Sequence, residues 1–240
     1  MSAVNASVEV VHRDAHLLVL WKPSGLSTTS PDDSPCLATM ARELDPDAER
    51  MHPSSRLDAE VTGLVTFART SLAIEALKEA RARGQYKRLY LAIAERAPSP
   101  PSGEWNAAIA IDSRDPRKRV ATSTRARKDA KESLTRYEVR STATHAVLLN
   151  LWPQTGRTHQ LRVHADHAGL PLVGDVHYGG KKHITTPDGR VHLARRTMLH
   201  CYELDLPAIG RGTPLHLRAH VARDMESLWT ALGGSVDAFA

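Results

Sequence analysis

Apolar residues along this chain recur at two spacings, and each spacing predicts an element. Val8 to Val11 and Leu17 to Trp21 are short apolar runs on either side of Asp14-Ala15, so they read as a hairpin or two adjacent strands. The turn Lys22-Pro23-Ser24-Gly25 ends the second. Ser34-Pro35 is an N-cap and first-turn pair, and Leu37, Met40 and Leu44 follow at helical spacing, which predicts a helix from about Pro35 to Leu44. Leu64 to Ala68 reads as a strand. Thr70-Ser71 can cap a helix carrying Leu72, Leu77 and Ala80 that Gly84 stops. The next strand sends Leu89, Leu91 and Ile93 one way and Tyr90, Ala92 and Ala94 the other, so the Tyr90 ring shares its face with small residues.

Pro98 to Gly103 marks a loop. Beyond it, Ser133 to Val139 alternates as a strand and His145 to Trp152 reads as its neighbour. Thr158 can cap a helix running to Ala168 and ended by Gly169, with Pro171 beyond. Strands are expected near Met198 to Leu206 and Leu215 to Val221. A last helix carries Met225, Leu228, Trp229 and Leu232 at i, i+3, i+4 and i+7. Strands outnumber helices and their connections are short. The expected class is therefore α+β, a mixed and largely antiparallel sheet with helices on its faces.

The 240 residues, 41% of them hydrophobic, suffice for a core, and no break in composition divides them, so a single domain spanning 1–240 is expected. No apolar run approaches the ~20 residues of a membrane span, and Met1 to Val8 lacks the regions of a signal peptide, which points to the cytoplasm and away from membranes. Cys36 and Cys201 lie far apart without a Cys-x-x-Cys pair, against a disulfide framework or a thiolate zinc site. The net charge of +5 is unevenly spread: from Arg114 to Arg140 ten Lys/Arg face four acids. That local excess of six is larger than the net charge of the whole chain. Such a stretch attracts phosphate backbones through counterion release, although by itself it also reads as a solvated loop.

Two segments about a hundred residues apart carry the chemistry: Arg56-Leu57-Asp58, and Gly156-Arg157-Thr158-His159-Gln160-Leu161-Arg162-Val163-His164. With Lys22-Pro23-Ser24-Gly25-Leu26, Tyr90 and the segment Leu199 to Leu204, and in this order, they resemble the RNA pseudouridine synthases of the RluA type. Two positions depart from that pattern: Ser55 stands where the family has His, and Val61-Thr62-Gly63 where it has Thr-Ser-Gly. The resemblance implies the family's fold with a central catalytic cleft. It also implies isomerisation of uridine to pseudouridine in structured RNA, tRNA or rRNA. The synthase-like region starts within about the first ten residues, so substrate choice is expected to rest on the catalytic domain itself.

That reaction breaks an N-glycosidic bond, turns the base and joins C5 to the sugar, with no redox change, so no cofactor is expected. It needs a nucleophile or base at the sugar, a balancing cation and a surface for the detached uracil. By resemblance these are Asp58, Arg162 and Tyr90. An arginine can keep a part-buried carboxylate ionised through its two-pronged donor. Arg56 is placed at the edge of the site, Arg157 and His159 reach phosphates or hold their loop, and Arg117, Lys118 and Arg119 meet the RNA backbone. Taken alone, Asp58 is also a common turn residue, Tyr90 a core tyrosine and Lys22 a support for the sheet. His159, His164 and His167 do not share one helix face, so no metal site is expected. A binding-only or RNA-folding protein on the same scaffold is the alternative, and a metal-dependent hydrolase a third. RNA is the expected partner, with no obligate protein partner and a monomer.

Overall fold

The opening hairpin forms as its pattern predicts, in a computed structural model that describes residues 7–31 and 34–240. The leader-free reading of Met1 to Val8 falls almost wholly outside those residues. Strand β1 (Glu9–Arg13) pairs antiparallel with β2 (Leu17–Lys22), and Asp14 makes the turn because its carboxylate accepts the backbone N–H groups of His16 and Leu17. Helix α1 (Leu37–Leu44) starts later than Ser34-Pro35 suggests. Cys36 is its cap, and the Thr39 hydroxyl reaches back to accept the Cys36 N–H.

After β3 (His52–Pro53), β4 (Thr62–Ala68) is buried at all its positions. Helix α2 (Ser71–Ala82) begins at its expected cap, the Thr70 hydroxyl accepting the Ala73 N–H, and the chain leaves it through Gly84. Next come β5 (Lys87–Ala94), β6 (Ser102–Trp105), β7 (Ala108–Ile111), β8 (Arg119–Thr122), β9 (Thr135–Thr142) and β10 (Val147–Pro153). Helix α3 (Gln160–His167), a 3-10 turn (Val176–Tyr178), β11 (His183–Thr185), β12 (Val191–Leu193), β13 (Leu199–Leu206), β14 (Leu215–Arg218), α4 (Arg223–Ala231) and a last 3-10 turn (Val236–Phe239) follow.

Two compact units share the chain, each built from two stretches: Met1–Arg88 with His200–Ala222, and Leu89–Leu199 with Arg223–Ala240. In the first, β4 lies between β2, antiparallel, and β13, parallel, while β3 joins β4 and β14 joins β13 in antiparallel pairs. The parallel pair is close. Gly63 has φ +111°, and a Cβ there would stand 2.2 Å from the Cys201 carbonyl oxygen, so only glycine fits. In the second unit β5, β10, β9 and β6 form an antiparallel run, with β7–β8 and β11–β12 as separate hairpins. Among the described residues the strand pairing is mixed and mostly antiparallel, with four α-helices, as expected.

Three local expectations are corrected. The loop Pro98 to Gly103 gives way to β6 at Ser102, because Ser102 to Trp105 pair with β9 along its edge. The basic stretch begins within a β-hairpin, whose strands are joined by a turn that closes on the Asp112 N–H to Lys118 carbonyl bond. Helix α3 is capped by His159, in the left-handed region at φ 57°, with Thr158 exposed before it. Among the described residues no helix is long and apolar enough to cross a membrane. Cys36 and Cys201 are buried thiols that form no disulfide.

Candidate active site

Asp58 stands, half-buried, in the loop that leads into β4, and the turn after β2 holds that loop along its length. The Thr28 hydroxyl accepts the Leu57 N–H at 3.0 Å and donates to the Leu57 carbonyl at 2.9 Å. Gly25 N–H and Lys22 Nζ both donate to the Ala59 carbonyl, at 2.8 and 3.0 Å, and Ser24 Oγ donates to that of Glu60. Lys22 is fully buried, and its Nζ also donates to the carbonyls of Pro23 and Leu26. Lysine has three donors, and each of these carbonyls can take one, so Lys22 ties the Lys-Pro-Ser-Gly turn to the residue after Asp58. Its place is structural support, as the residue-level reading allows.

The two departures from the family pattern flank this loop, and both side chains are buried and bonded. Ser55 Oγ accepts the Thr66 N–H at 3.2 Å, and Thr62 Oγ1 lies 2.8 Å from His200 Nδ1. Arg56 is exposed.

In the second unit, Arg162 is 5% exposed and makes a two-pronged pair with Asp175, Nε and Nη2 each 2.7 Å from a carboxylate oxygen. Asp175 is fully buried. Sequence reasoning missed it because it lies thirteen residues on, at the N-terminal flank of the Val176–Tyr178 turn. Gly174 before it has φ +81°, and a Cβ there would come 1.8 Å from the Arg196 carbonyl oxygen, so the turn is packed in place. Tyr178 is missed too. Its ring covers the Arg162 guanidinium at 4.9 Å, and its hydroxyl lies 2.7 Å from His159 Nδ1 and accepts the Arg119 N–H at 3.0 Å. Asp175 and Tyr178 between glycines form a short turn, and that run of small and turn residues was the only available sequence signal.

Gln160 and His164 lock α3 to β9. The Gln160 amide uses both ends, its oxygen accepting from Thr155 Oγ1 and the Arg157 N–H and its nitrogen donating to the Leu134 carbonyl and Thr135 Oγ1. His164 Nε2 donates to the Ala107 carbonyl at 2.9 Å, which leaves Nδ1 to accept from Thr135 Oγ1. Burial pushes the His164 pKa below the ordinary histidine value, against a smaller raising effect of the Ala107 bond. Both its nitrogens are thus engaged as a core residue engages them.

Tyr90 is buried in β5 at 5% exposure, opposite Leu151 of β10. Arg157 is exposed and donates through Nε to the Glu132 carbonyl. In the basic hairpin, Arg117 is held two-pronged by Asp115, and Arg119 donates to the carbonyls of Pro116 and Lys118, so part of the local charge braces the turn itself. The structure brings together Arg119, His159 and Arg162 around Tyr178. Asp58 belongs to the first unit, Tyr90 and Arg162 to the second.

A family model described as RNA pseudouridylate synthase matches residues 16–167. The chain is 32% identical over 240 residues to ribosomal large subunit pseudouridine synthase D of Xanthomonas campestris pv. campestris, covering 94% of this chain and 69% of that protein. It is 32% identical over 204 residues to the dual-specificity RNA pseudouridine synthase RluA of Vibrio cholerae serotype O1, covering 82% and 76%. Among solved structures it resembles human RNA Pseudouridylate Synthase Domain Containing 4, with a TM-score of 0.71, 26% identity, and 93% and 92% of the two chains covered.

Proposed function

The chain belongs to the RNA pseudouridylate synthase family, of the RluA type, and we propose from that premise how its own residues isomerise uridine to pseudouridine in RNA. Asp58 attacks the sugar or takes its proton. In keeping with the family resemblance, Arg162 balances the Asp58 charge, and Tyr90 gives the detached uracil a ring to rest on. Arg56 borders the flipped nucleotide, and Arg157, His159 and the basic hairpin with Arg117, Lys118 and Arg119 take the phosphates. Flipping a stacked uridine costs a few kcal/mol, which stacking and phosphate contacts must return.

The observation that supports this reading best is the anchoring of the Asp58 loop, five hydrogen bonds from Lys22, Ser24, Gly25 and Thr28 to the backbone of residues 57–60. A loop so fixed on both sides of Asp58 is built to hold its carboxylate in place. The two units serve as one catalytic domain, 1–240, acting as a monomer in the cytoplasm. The substrate is structured RNA, with ribosomal RNA favoured by the names of the relatives and tRNA the other candidate, and mapping pseudouridines in total RNA with and without the gene identifies the site. Asp58→Asn keeps the shape and removes the charge. It should abolish pseudouridine formation while changing RNA affinity less than about tenfold, ~1.4 kcal/mol. Measurable turnover by that variant removes Asp58 from the mechanism.

A further inference from the structure

We propose that Tyr178 is a positioning residue that couples the basic hairpin to the arginine of the active site. The inference rests on reading Arg162 as part of the catalytic set. Tyr178 touches that arginine through its ring and the hairpin through its hydroxyl. A guanidinium can be fixed by its edge and by its flat face. Asp175 holds the edge of Arg162 and Tyr178 covers a face, and both come from one turn of four residues.

Packing accounts for the Tyr178 ring, which joins Ile109 and Val163 in a small buried cluster. It does not account for the hydroxyl. A backbone N–H can only donate, so Arg119 gives its proton to the phenol oxygen, and the same oxygen lies 2.7 Å from His159 Nδ1, with either atom able to hold the shared proton. Among the described residues, His159 is also the non-glycine residue held at positive φ, at the cap of the helix that bears Arg162. One oxygen therefore joins strand β8 of the hairpin to the cap of α3, one turn ahead of Arg162. Phosphates that draw on Lys118 and its neighbours pull on β8, and the Tyr178 hydroxyl passes that displacement to the α3 cap. Tyr178 reports an occupied hairpin to the site.

Tyr178→Phe keeps the ring and removes the hydroxyl alone. We expect kcat on the substrate RNA to fall about tenfold, with KM and RNA Kd within about twofold of wild type. His159→Asn, a residue tolerant of the left-handed region, should lose about the same, and the double variant should be no slower than the slower single, because both break one hydrogen-bonded path. A second readout is independent of turnover. The Arg162 Nε–H, held against Asp175, should remain slow to exchange in ¹H–¹⁵N spectra of Tyr178→Phe and exchange faster in Tyr178→Leu. Wild-type kcat in Tyr178→Phe, multiplied losses in the double variant, or a fall in RNA binding equal to the fall in kcat/KM would each overturn the coupling. If the wild-type protein forms no pseudouridine in any RNA, the catalytic reading fails instead, and unchanged Nε–H exchange in Tyr178→Leu would then overturn the ring contact separately.

Discussion

Lys22 supports the backbone around Asp58, and its removal should be felt in both stability and rate. Its buried Nζ joins the carbonyls of Pro23, Leu26 and Ala59, and Lys22→Met would leave those oxygens without that donor next to Asp58. We expect a loss of about 2 kcal/mol in stability, mainly from the Pro23 and Leu26 carbonyls since Ala59 keeps the Gly25 N–H, and a lower kcat with KM for RNA within about twofold. Urea unfolding and single-turnover kinetics on the same preparation check both, and an unchanged kcat would limit Lys22 to stability. Asp58 and Arg162 are proposed from the sequence because each sits in a motif whose neighbours are also present, and Tyr90 because of its place in the order of those motifs. Asp175 and Tyr178 were not legible there, since what marks them is a partner across space. Nothing local distinguishes an aspartate that grips an arginine from one that starts a turn.

Elements with complete local signals were read correctly. Thr70 caps α2, Gly84 ends it, and Met225, Leu228 and Trp229 are the buried face of α4. The hairpin β7–β8 was missed because its strands are four residues each and its turn is full of charge, so no period develops. Finding it changes what the basic residues can do. Arg117 is occupied by Asp115 and Arg119 by two carbonyls, which leaves Lys118 as the member of that trio best placed to meet a phosphate. If the whole stretch supplies three or four contacts, log affinity against log salt should slope near −2 to −3, at roughly −0.7 per contact on unpaired RNA. Neutralising Arg117, Lys118 and Arg119 together should flatten that slope, with Lys118→Ala giving most of the effect. A slope unchanged in the triple variant would send the RNA path past Arg157 and Lys181-Lys182.

Over the whole molecule, acid should act through His164. Its folded pKa lies below the ordinary value, so below about pH 6.5 the unfolded chain binds a proton that the folded one refuses, and stability falls until the folded value is reached. His164→Gln retains a donor and an acceptor but does not titrate. The stability gap between wild type and this variant should narrow as the pH is taken from about 7.5 to about 5.5, and a gap of constant width would show that His164 does not titrate differently on folding. The class of fold was readable from strand count and short connections, but the division of the chain between two units was not, since composition does not change at Arg88 or Leu199. That interleaving has a consequence during synthesis. Strand β4, buried along its whole length, takes its parallel neighbour from β13, with Gly63 opposite Cys201. At about 5–20 residues per second, β4 leaves the peptidyl-transferase centre some 7–28 s before β13 exists. For that interval the Thr62–Gly63 end of the strand, beyond the residues that β3 pairs, is open to other chains. Nascent chains stalled before β13 should therefore engage chaperones that chains released at full length do not.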